Sequence, residues 1–581
     1  MTRARFAGAS TLAVAAVLAV SVLALCGPLL THGPLPVGSD VFSTSHYLQG
    51  FMKAFAEGDL YPRWTDRTNQ GLGAPSFVLL TPLVYYGAGA AAGLTGSLIT
   101  GFKLYLFVVA VLTALSMYAL AREWIGPGLP AAVASGLYLL LPYHVLDMYQ
   151  RFAVSETTAF VFLPLILLFA RRTVRGGRPF DFAGLSLSYA ALIYTHLVST
   201  LMFSLFLGLW LLWESGGRWR ALLPAGLALS CGVALAAPAL LPAMLEKAHA
   251  NISWVREMPN GDFRINFIFR DELLPGLGIR DPVKPPVLKS AHSQLALAAA
   301  ALGLVLARLA GEQRRQRTDA LALGAGCALA YLMQLGISTP IWRLVPELAT
   351  IQFPWRFQTL MVLTTALLAG LALSVLWERA GGSAPARSRL VQLGSAVLVG
   401  LILVNLALAG RNAYLKPFVY DETRIQSAGV VQWVEPAFTP VEFTLYRRFK
   451  ELQVKMPRAF FRDGRGDVSI AEWTSSSRKL ELDSESGGRI GVRSFWFPGW
   501  RASIDGEPLE VTGVPPGGTL AFEVPPGRHT VKLRFEATPV RRAAAWVGLA
   551  ALLAMPMLAL GSTRLRAEAS GSPEARSERG G

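Results

Sequence analysis

The chain has 581 residues, of which 52% are hydrophobic and only 16% charged. That balance excludes an ordinary soluble enzyme, because the apolar runs repeatedly exceed the ~18 to 20 residues that cross a bilayer. The excess of 54 Lys and Arg over 38 Asp and Glu does not make a nucleic-acid surface. Many of the positive charges fall in short connections between apolar runs, as on the cytoplasmic side of a multi-pass membrane protein.

Residues 8–30 read as the first span. The string Leu23-Ala-Leu-Cys26 imitates a lipoprotein cleavage box, but Leu25 is bulky where a small residue is needed. The span is therefore expected to stay uncleaved, with a cytoplasmic N-terminus. Cys26, Cys231 and Cys327 all lie in apolar runs, which implies neither a disulfide framework nor a metal cluster. A large polar loop, 31–101, follows. Within it Tyr47, Leu48, Phe51, Met52 and Phe55 recur at helical spacing, as in a helix lying at the interface. The stretch Leu79 to Leu94 is read as re-entrant or interfacial, because counting it as a span would invert every later basic loop.

Further spans are expected at 102–120, 129–145, 157–170, 182–195, 197–213, 221–245, 291–309, 319–337, 357–377, 390–410 and 543–561. This places Arg171, Arg172, Arg175, Arg218, Arg220, Arg314 and Arg315 together on the cytoplasmic side, with both termini inside. Residues 1–410 then form the transmembrane domain. Residues 411–541 differ in kind: alternating strands at 468–473, 479–483, 489–495, 500–504, 520–524 and 529–535, with a hairpin turn at Asp505-Gly506, predict an extracytoplasmic β-sandwich. A last helix, 542–562, returns the chain, and 563–581 reads as a disordered cytoplasmic tail.

Asp40 stands about ten residues beyond the first span, and Glu156 at the mouth of the fourth, in Tyr149-Gln-Arg-Phe-Ala-Val-Ser-Glu156. Carboxylates at a membrane boundary are functional candidates. One in a partly dry cleft acts as a general base, or holds a divalent cation, Mg or Mn, against a phosphate; Asp40 is the position for such a cation. Glu156 also suits a plain helix N-terminus after Ser155. Arg151 and Arg356, the latter in Phe353-Pro-Trp-Arg356, suit a lipid phosphate or simple headgroup anchoring. His144 and His196 lie near outer ends of spans, as packed histidines or ligands. Gly71-Leu-Gly73 lacks the strand before it and the Lys-Ser/Thr after it that a nucleotide cradle needs. No clear pair of broken helices is visible.

The first-loop strings Leu60-Tyr-Pro-Arg-Trp64, Gly71-Leu-Gly-Ala-Pro75 and Thr81-Pro-Leu-Val-Tyr-Tyr86, with the Tyr149–Glu156 loop and Phe353-Pro-Trp-Arg356, resemble the GT-C superfamily of integral membrane glycosyltransferases. The likeness is closest to a bacterial branch labelled as related to 6-pyruvoyl-tetrahydropterin synthase. Phe495-Trp-Phe-Pro-Gly-Trp500 and Val524-Pro-Pro-Gly-Arg-His529 are similar to YfhO-type membrane proteins. The resemblance implies a polytopic α-helical, GT-C-like protein of about twelve spans with a C-terminal β-domain, in a bacterial cytoplasmic membrane. It implies sugar transfer from a polyprenyl-phosphate lipid donor to a cell-envelope glycan or lipid acceptor, among membrane lipids and without nucleic acid. Asp40 matches the first-loop carboxylate of the superfamily. Glu156 or Asp147 takes the place of the second acid, and Arg151, Arg356, His46, Arg63, Trp64 and His196 are the implied substrate contacts. Ser39-Asp40 departs from the adjacent acids of many members, and no Trp-Trp-Asp-Tyr-Gly string is present. Two other classes stay open, a transporter or flippase of a lipid-linked saccharide and a non-catalytic protein whose β-domain binds envelope glycan.

Overall fold

The computed structural model describes residues 2–252, 261–269, 284–308, 314–380, 389–414, 417–424, 457–515 and 518–570. Among them nine helices are long and apolar enough to cross a membrane, and eleven if two bent pairs each count as one span. The remaining predicted span, 182–195, is the helix Pro179–Thr195, whose 17 residues rise only ~25 Å. It is short of a ~30 Å hydrocarbon layer. The bends correct the expectation that no helix is broken. Trp219–Leu235 meets Ala237–His249 at 71°, and Arg315–Leu332 meets Gly336–Leu344 at 91°.

Burial sorts the spans. Pro354–Leu376 has 89% of its most apolar window buried, whereas Gln392–Tyr414 and Pro539–Ser562 have 17%. The first is the central post and the other two face outward. The basic connections are more than topological markers. Arg171 is 2% exposed and pairs with Glu214 at 3.5 Å and Asp319 at 3.2 Å, tying three spans together at one end of the bundle.

The first loop opens on helix α2, Val41–Ala56, after α1, Thr2–Thr31. The apolar stripe of α2 was expected to lie in the interface. Protein covers most of it instead, leaving Phe55 exposed: Tyr47 and Phe51 pack edge-on against Phe77, and both contact Tyr85 of the helix Leu83–Thr95. That 13-residue helix is too short to cross. Strand β1, Leu35–Pro36, pairs with β2, Phe418–Tyr420, stitching the start of this loop to the segment after the helix Arg389–Tyr414.

The C-terminal strands are β3 (Ala459–Trp473), β4 (Ser477–Phe495), β5 (Trp500–Ile504), β6 (Glu507–Leu509), β7 (Thr512–Val514), β8 (Thr519–Val524) and β9 (Gly527–Phe535). They form one antiparallel sheet, with β4 pairing to β9 through Ser484 and to β8 from Gly488. The long β4 thus serves two leaves, and Leu480, Leu482, Ile490, Val492, Phe522 and Leu533 from both share one core. Asp505 and Gly506 both have positive φ in the two-residue β5–β6 hairpin, as an Asp-Gly turn of this type requires. The helix Arg389–Tyr414 carries residues 411–414, and the last helix continues to Ser570, past the predicted end at 562. The predicted tail beyond 570 lies outside the described residues.

The first loop and the sheet meet over a wide contact. Trp64 is wholly buried against Trp500 and Phe535, with ring centroids 5.4 and 5.1 Å away. The backbone N–H of Phe495 donates to the Leu72 carbonyl at 2.8 Å. Glu57 and Asp66 of the loop accept from Ser475 of the turn between β3 and β4. Arg478 beside them is fully buried over the Trp473 ring at 4.2 Å, and burial pulls its guanidinium down to about 10.

Candidate functional site

The site is built where two spans lose their helical regularity. Pro142 cannot continue the helix Leu129–Leu140, and Leu141 before it is extended at ψ 144°. A short helix, Pro142–Leu146, runs into a π turn, Asp147–Arg151, and Phe152 reverses the chain at φ 56°. The next span starts at Val154 and is interrupted again near Phe160. Every residue from Leu141 to Val154 is buried. Irregular backbone at membrane depth survives only in such protein-enclosed places, and π turns concentrate at functional sites.

Into this turn the first loop feeds a short backbone contact. The backbone N–H of Asp40 donates to the Arg151 carbonyl at 2.8 Å, and that of Ser39 to the Gln150 carbonyl at 3.3 Å. Gly38 makes the approach feasible: a Cβ there would stand 2.6 Å from Phe152 Cβ and 3.0 Å from the Arg151 backbone. Asp40 caps α2 by position, yet its side chain makes no capping bond and stays half-buried, accepting from the Ser39 hydroxyl at 3.0 Å.

Beneath it lies a charged cluster. Glu156 is 1% exposed, and its Oε2 accepts from Arg151 Nη1 at 2.7 Å and faces Arg356 Nε at 3.5 Å. Its Oε1 accepts from the Tyr143 hydroxyl at 2.9 Å and from Thr359 at 3.3 Å. Arg151 also donates to Asp147, which is wholly buried and whose second oxygen has no partner. Arg356 donates to the Ile351 carbonyl at 3.0 Å and lies over the Phe353 ring at 5.1 Å. The Asp40 carboxylate is within electrostatic reach of Asp147, Arg151 and Arg356.

This geometry separates the two acids. Glu156 accepts from three donors and pairs with two arginines, so its oxygens are occupied. Asp40 keeps an oxygen free at the rim. The predicted contacts also divide. Asp147, Arg151 and Arg356 join the cluster, and His196 is near enough to interact with Glu156 while its ring bonds Ser199 at 2.7 Å. Arg63 and Trp64 do not join it. Arg63 donates to the Pro238 carbonyl at 2.6 Å and lies 3.7 Å over the Tyr61 ring, and Trp64 belongs to the sheet contact. His46 is buried on α2 beside Tyr47, and His144 stacks on Phe160 at 4.0 Å. Tyr143 and Thr359 were missed. Tyr143 had a signal in the Leu-Pro break before it, whereas Thr359 lies in an apolar run like many other threonines.

Among the described residues no three His, Cys, Asp or Glu side chains are grouped to hold a metal ion. Glu156 is committed to its two arginines, while one oxygen of Asp147 has no partner.

The family model "6-pyruvoyl-tetrahydropterin synthase related domain; membrane protein" matches residues 79–413, more than half of the chain. The protein belongs to this family. In this member of the pterin-synthase-related membrane family, the matched region holds the whole Arg151–Glu156–Arg356 cluster, and Asp40 lies upstream of it. No curated protein matches the sequence. Among solved structures, a variant of arabinofuranosyltransferase AftD from Mycobacteria is similar over 69% of this chain and 28% of its own, with TM-score 0.42 and 15% identity. An Archaeoglobus fulgidus oligosaccharyltransferase is similar over 69% and 55%, with TM-score 0.37 and 14% identity. ArnT from Cupriavidus metallidurans, bound to undecaprenyl phosphate, is similar over 64% and 79%, with TM-score 0.30 and 14% identity. The chain thus spans well under two thirds of the first two.

Proposed function

We propose that this protein is a GT-C-like glycosyltransferase of a bacterial cytoplasmic membrane, moving a sugar from a polyprenyl-phosphate donor to a cell-envelope acceptor on the outer face. The observation that carries the reading is the bond from the Asp40 N–H to the Arg151 carbonyl, which sets one accessible carboxylate over a buried arginine pair. A base for an acceptor hydroxyl and cations for a phosphate leaving group are what such a transfer needs. Two of the sequence strings that resemble GT-C enzymes, Tyr149–Glu156 and Phe353-Pro-Trp-Arg356, supply the groups beneath Asp40.

In this reading Asp40 takes the proton from the acceptor hydroxyl as its oxygen attacks the anomeric carbon. The bond from that carbon to the phosphate oxygen breaks, and polyprenyl phosphate leaves with the electron pair. A single displacement inverts the anomeric centre. Arg356 and Arg151 face the developing phosphate charge, and Glu156 with Tyr143 and Thr359 keeps both guanidiniums from drifting.

The two bent helix pairs favour a second reading, transport of a lipid-linked saccharide, since broken helices mark transporter sites. One assay separates the two: glycolipid products in membranes, alongside carrier lipid retained by purified protein, for wild type and Asp40→Asn. Transfer lowered ~10²-fold with carrier retention intact is the outcome expected for loss of a positioned base. Carrier retention without any product from wild type would move the assignment to transport.

A further inference from the structure

We propose a second site, an anion-binding cleft at the far end of α2 that takes a phosphate-bearing headgroup or glycan. The cleft has a volume of about 690 Å³ and is walled by Gln49 and Lys53 of α2, Arg67, the Gly93–Leu98 turn and Glu422. Thirteen residues of helix separate Asp40 from Lys53, about 20 Å of rise. The cleft is therefore distinct from the Asp40 centre and independent of its assignment.

The free groups in its wall are donors. Glu422, its lining carboxylate, is fully engaged at the start of the helix Leu98–Ile125. One oxygen accepts from the Leu98 N–H at 3.0 Å, the other from the Ser97 hydroxyl at 3.1 Å and the Ile99 N–H at 3.4 Å. Lys53 is held by Asp66 and by Glu57 at 3.7 Å, and those two acids turn toward Ser475 of the sheet. Arg67 is different: its guanidinium is half-buried at the cleft and has no hydrogen-bond or ionic partner among the described residues. The Gln49 amide nitrogen is buried and also lacks an acceptor. A permanent cation and an unsatisfied buried donor sharing one cleft call for an acceptor-rich anion.

Shape agrees with charge. Gly93 and Gly96 line the cleft, and a Cβ at either would meet nothing within 4 Å, so the floor is open. The volume exceeds that of a single phosphate and suits a phosphate esterified to glycerol or a sugar. Leu94, between the two glycines, is 84% exposed beside the end of a membrane span. A phosphate here is delivered by a lipid headgroup at the bilayer surface or by a phosphorylated envelope glycan.

The test uses the full chain. Native mass spectrometry from mixed phosphatidylglycerol and phosphatidylcholine nanodiscs reads lipid preference, and calorimetry with sn-glycerol 1-phosphate in neutral detergent reads the soluble group. Wild type is expected to retain phosphatidylglycerol preferentially, and Arg67→Gln to weaken that retention about tenfold, as for loss of one charge-assisted contact. Gln49→Leu should weaken it less. Glycerol phosphate bound in an Arg67-dependent way without lipid preference would assign the source to a glycan phosphate. Should Arg67→Gln fail to give a folded protein, Gln49→Leu is read by the same two measurements. Lipid preference and glycerol-phosphate binding both absent, or both unchanged in the two variants, would overturn the proposal.

Discussion

The backbone N–H of Asp40 donates to the carbonyl of Arg151 at 2.8 Å, although 111 residues of chain separate them. The bond joins the N-terminus of α2 to the π turn, so half-buried Asp40 cannot shift without pulling on the residue that pairs with buried Glu156. The two acids therefore carry different burdens, and substitution should separate them.

Asp40→Asn keeps the shape, and the side chain makes no capping bond to lose. Its stability should change by less than about 1 kcal/mol. Glu156→Gln leaves Arg356 without its buried counter-charge and Arg151 with Asp147 alone. It should cost about 3–5 kcal/mol and lower the melting temperature of the purified protein. Equal melting temperatures for the two variants would show that Glu156 is not the anchor of the cluster.

Trp64→Ala empties a wholly buried position between the first loop and the sheet. A loss of about 3–5 kcal/mol is expected. The readout that distinguishes this contact from general destabilisation is limited proteolysis of residues 57–76, which should speed up while the spans stay protected. Unchanged cleavage there would mean that the sheet does not hold the loop.

Sidedness is read with cysteines at exposed places. A membrane-impermeant thiol reagent should label Ala56→Cys and Ser469→Cys in intact cells, and Arg178→Cys only after permeabilisation. All three positions are exposed. Labelling of Arg178→Cys in intact cells would invert the orientation proposed from the arginine distribution.

His529 carries the fourth prediction. Its ring bonds the Asp505 carboxylate at 2.6 Å, which raises the histidine pKa above its ordinary ~6.5 and lowers that of Asp505 below its ordinary ~3.9. The raised histidine contributes stability that is complete below its unfolded pKa and is lost as pH rises through its folded one. The lowered aspartate contributes above its unfolded pKa and loses it as pH falls through its folded one. Relative to the intrinsic base-catalysed rate, amide protection in the β5–β6 hairpin should thus be greatest near pH 5 and lower at pH 8. In Asp505→Asn that difference should vanish, and its persistence would argue against the pair.

The sequence carried the parts of this protein that depend on periodicity and composition. Span lengths, the arginine distribution and the Asp505-Gly506 turn all act locally, so each was readable where it stands. Two things were not. The bends after Leu235 and Leu332 were hidden because apolar residues continue on both sides of each, and hydropathy does not record a change of direction. The partition of Glu156 from Asp40 depends on Tyr143, Arg356 and Thr359 converging on one carboxylate. Their separation along the chain, more than 200 residues at its widest, hides that meeting from any local pattern. Arg63 and Trp64 enter through the Leu60-Tyr-Pro-Arg-Trp64 string of the resemblance, and packing against Pro238 and Trp500 takes them elsewhere.

The contact of Trp64 with Trp500 has a consequence for biogenesis. More than 400 residues must leave the ribosome after the first loop before its sheet partner exists, which at ~5–20 residues per second is a delay of about 20–90 s. During that interval the inserted spans are in place while an aromatic face waits uncovered at the membrane surface. A nascent chain released early would carry the charged cluster without the clasp that seats its loop. Burial of Trp64 is therefore a late event in the folding of this chain, since it waits for Trp500 and Phe535.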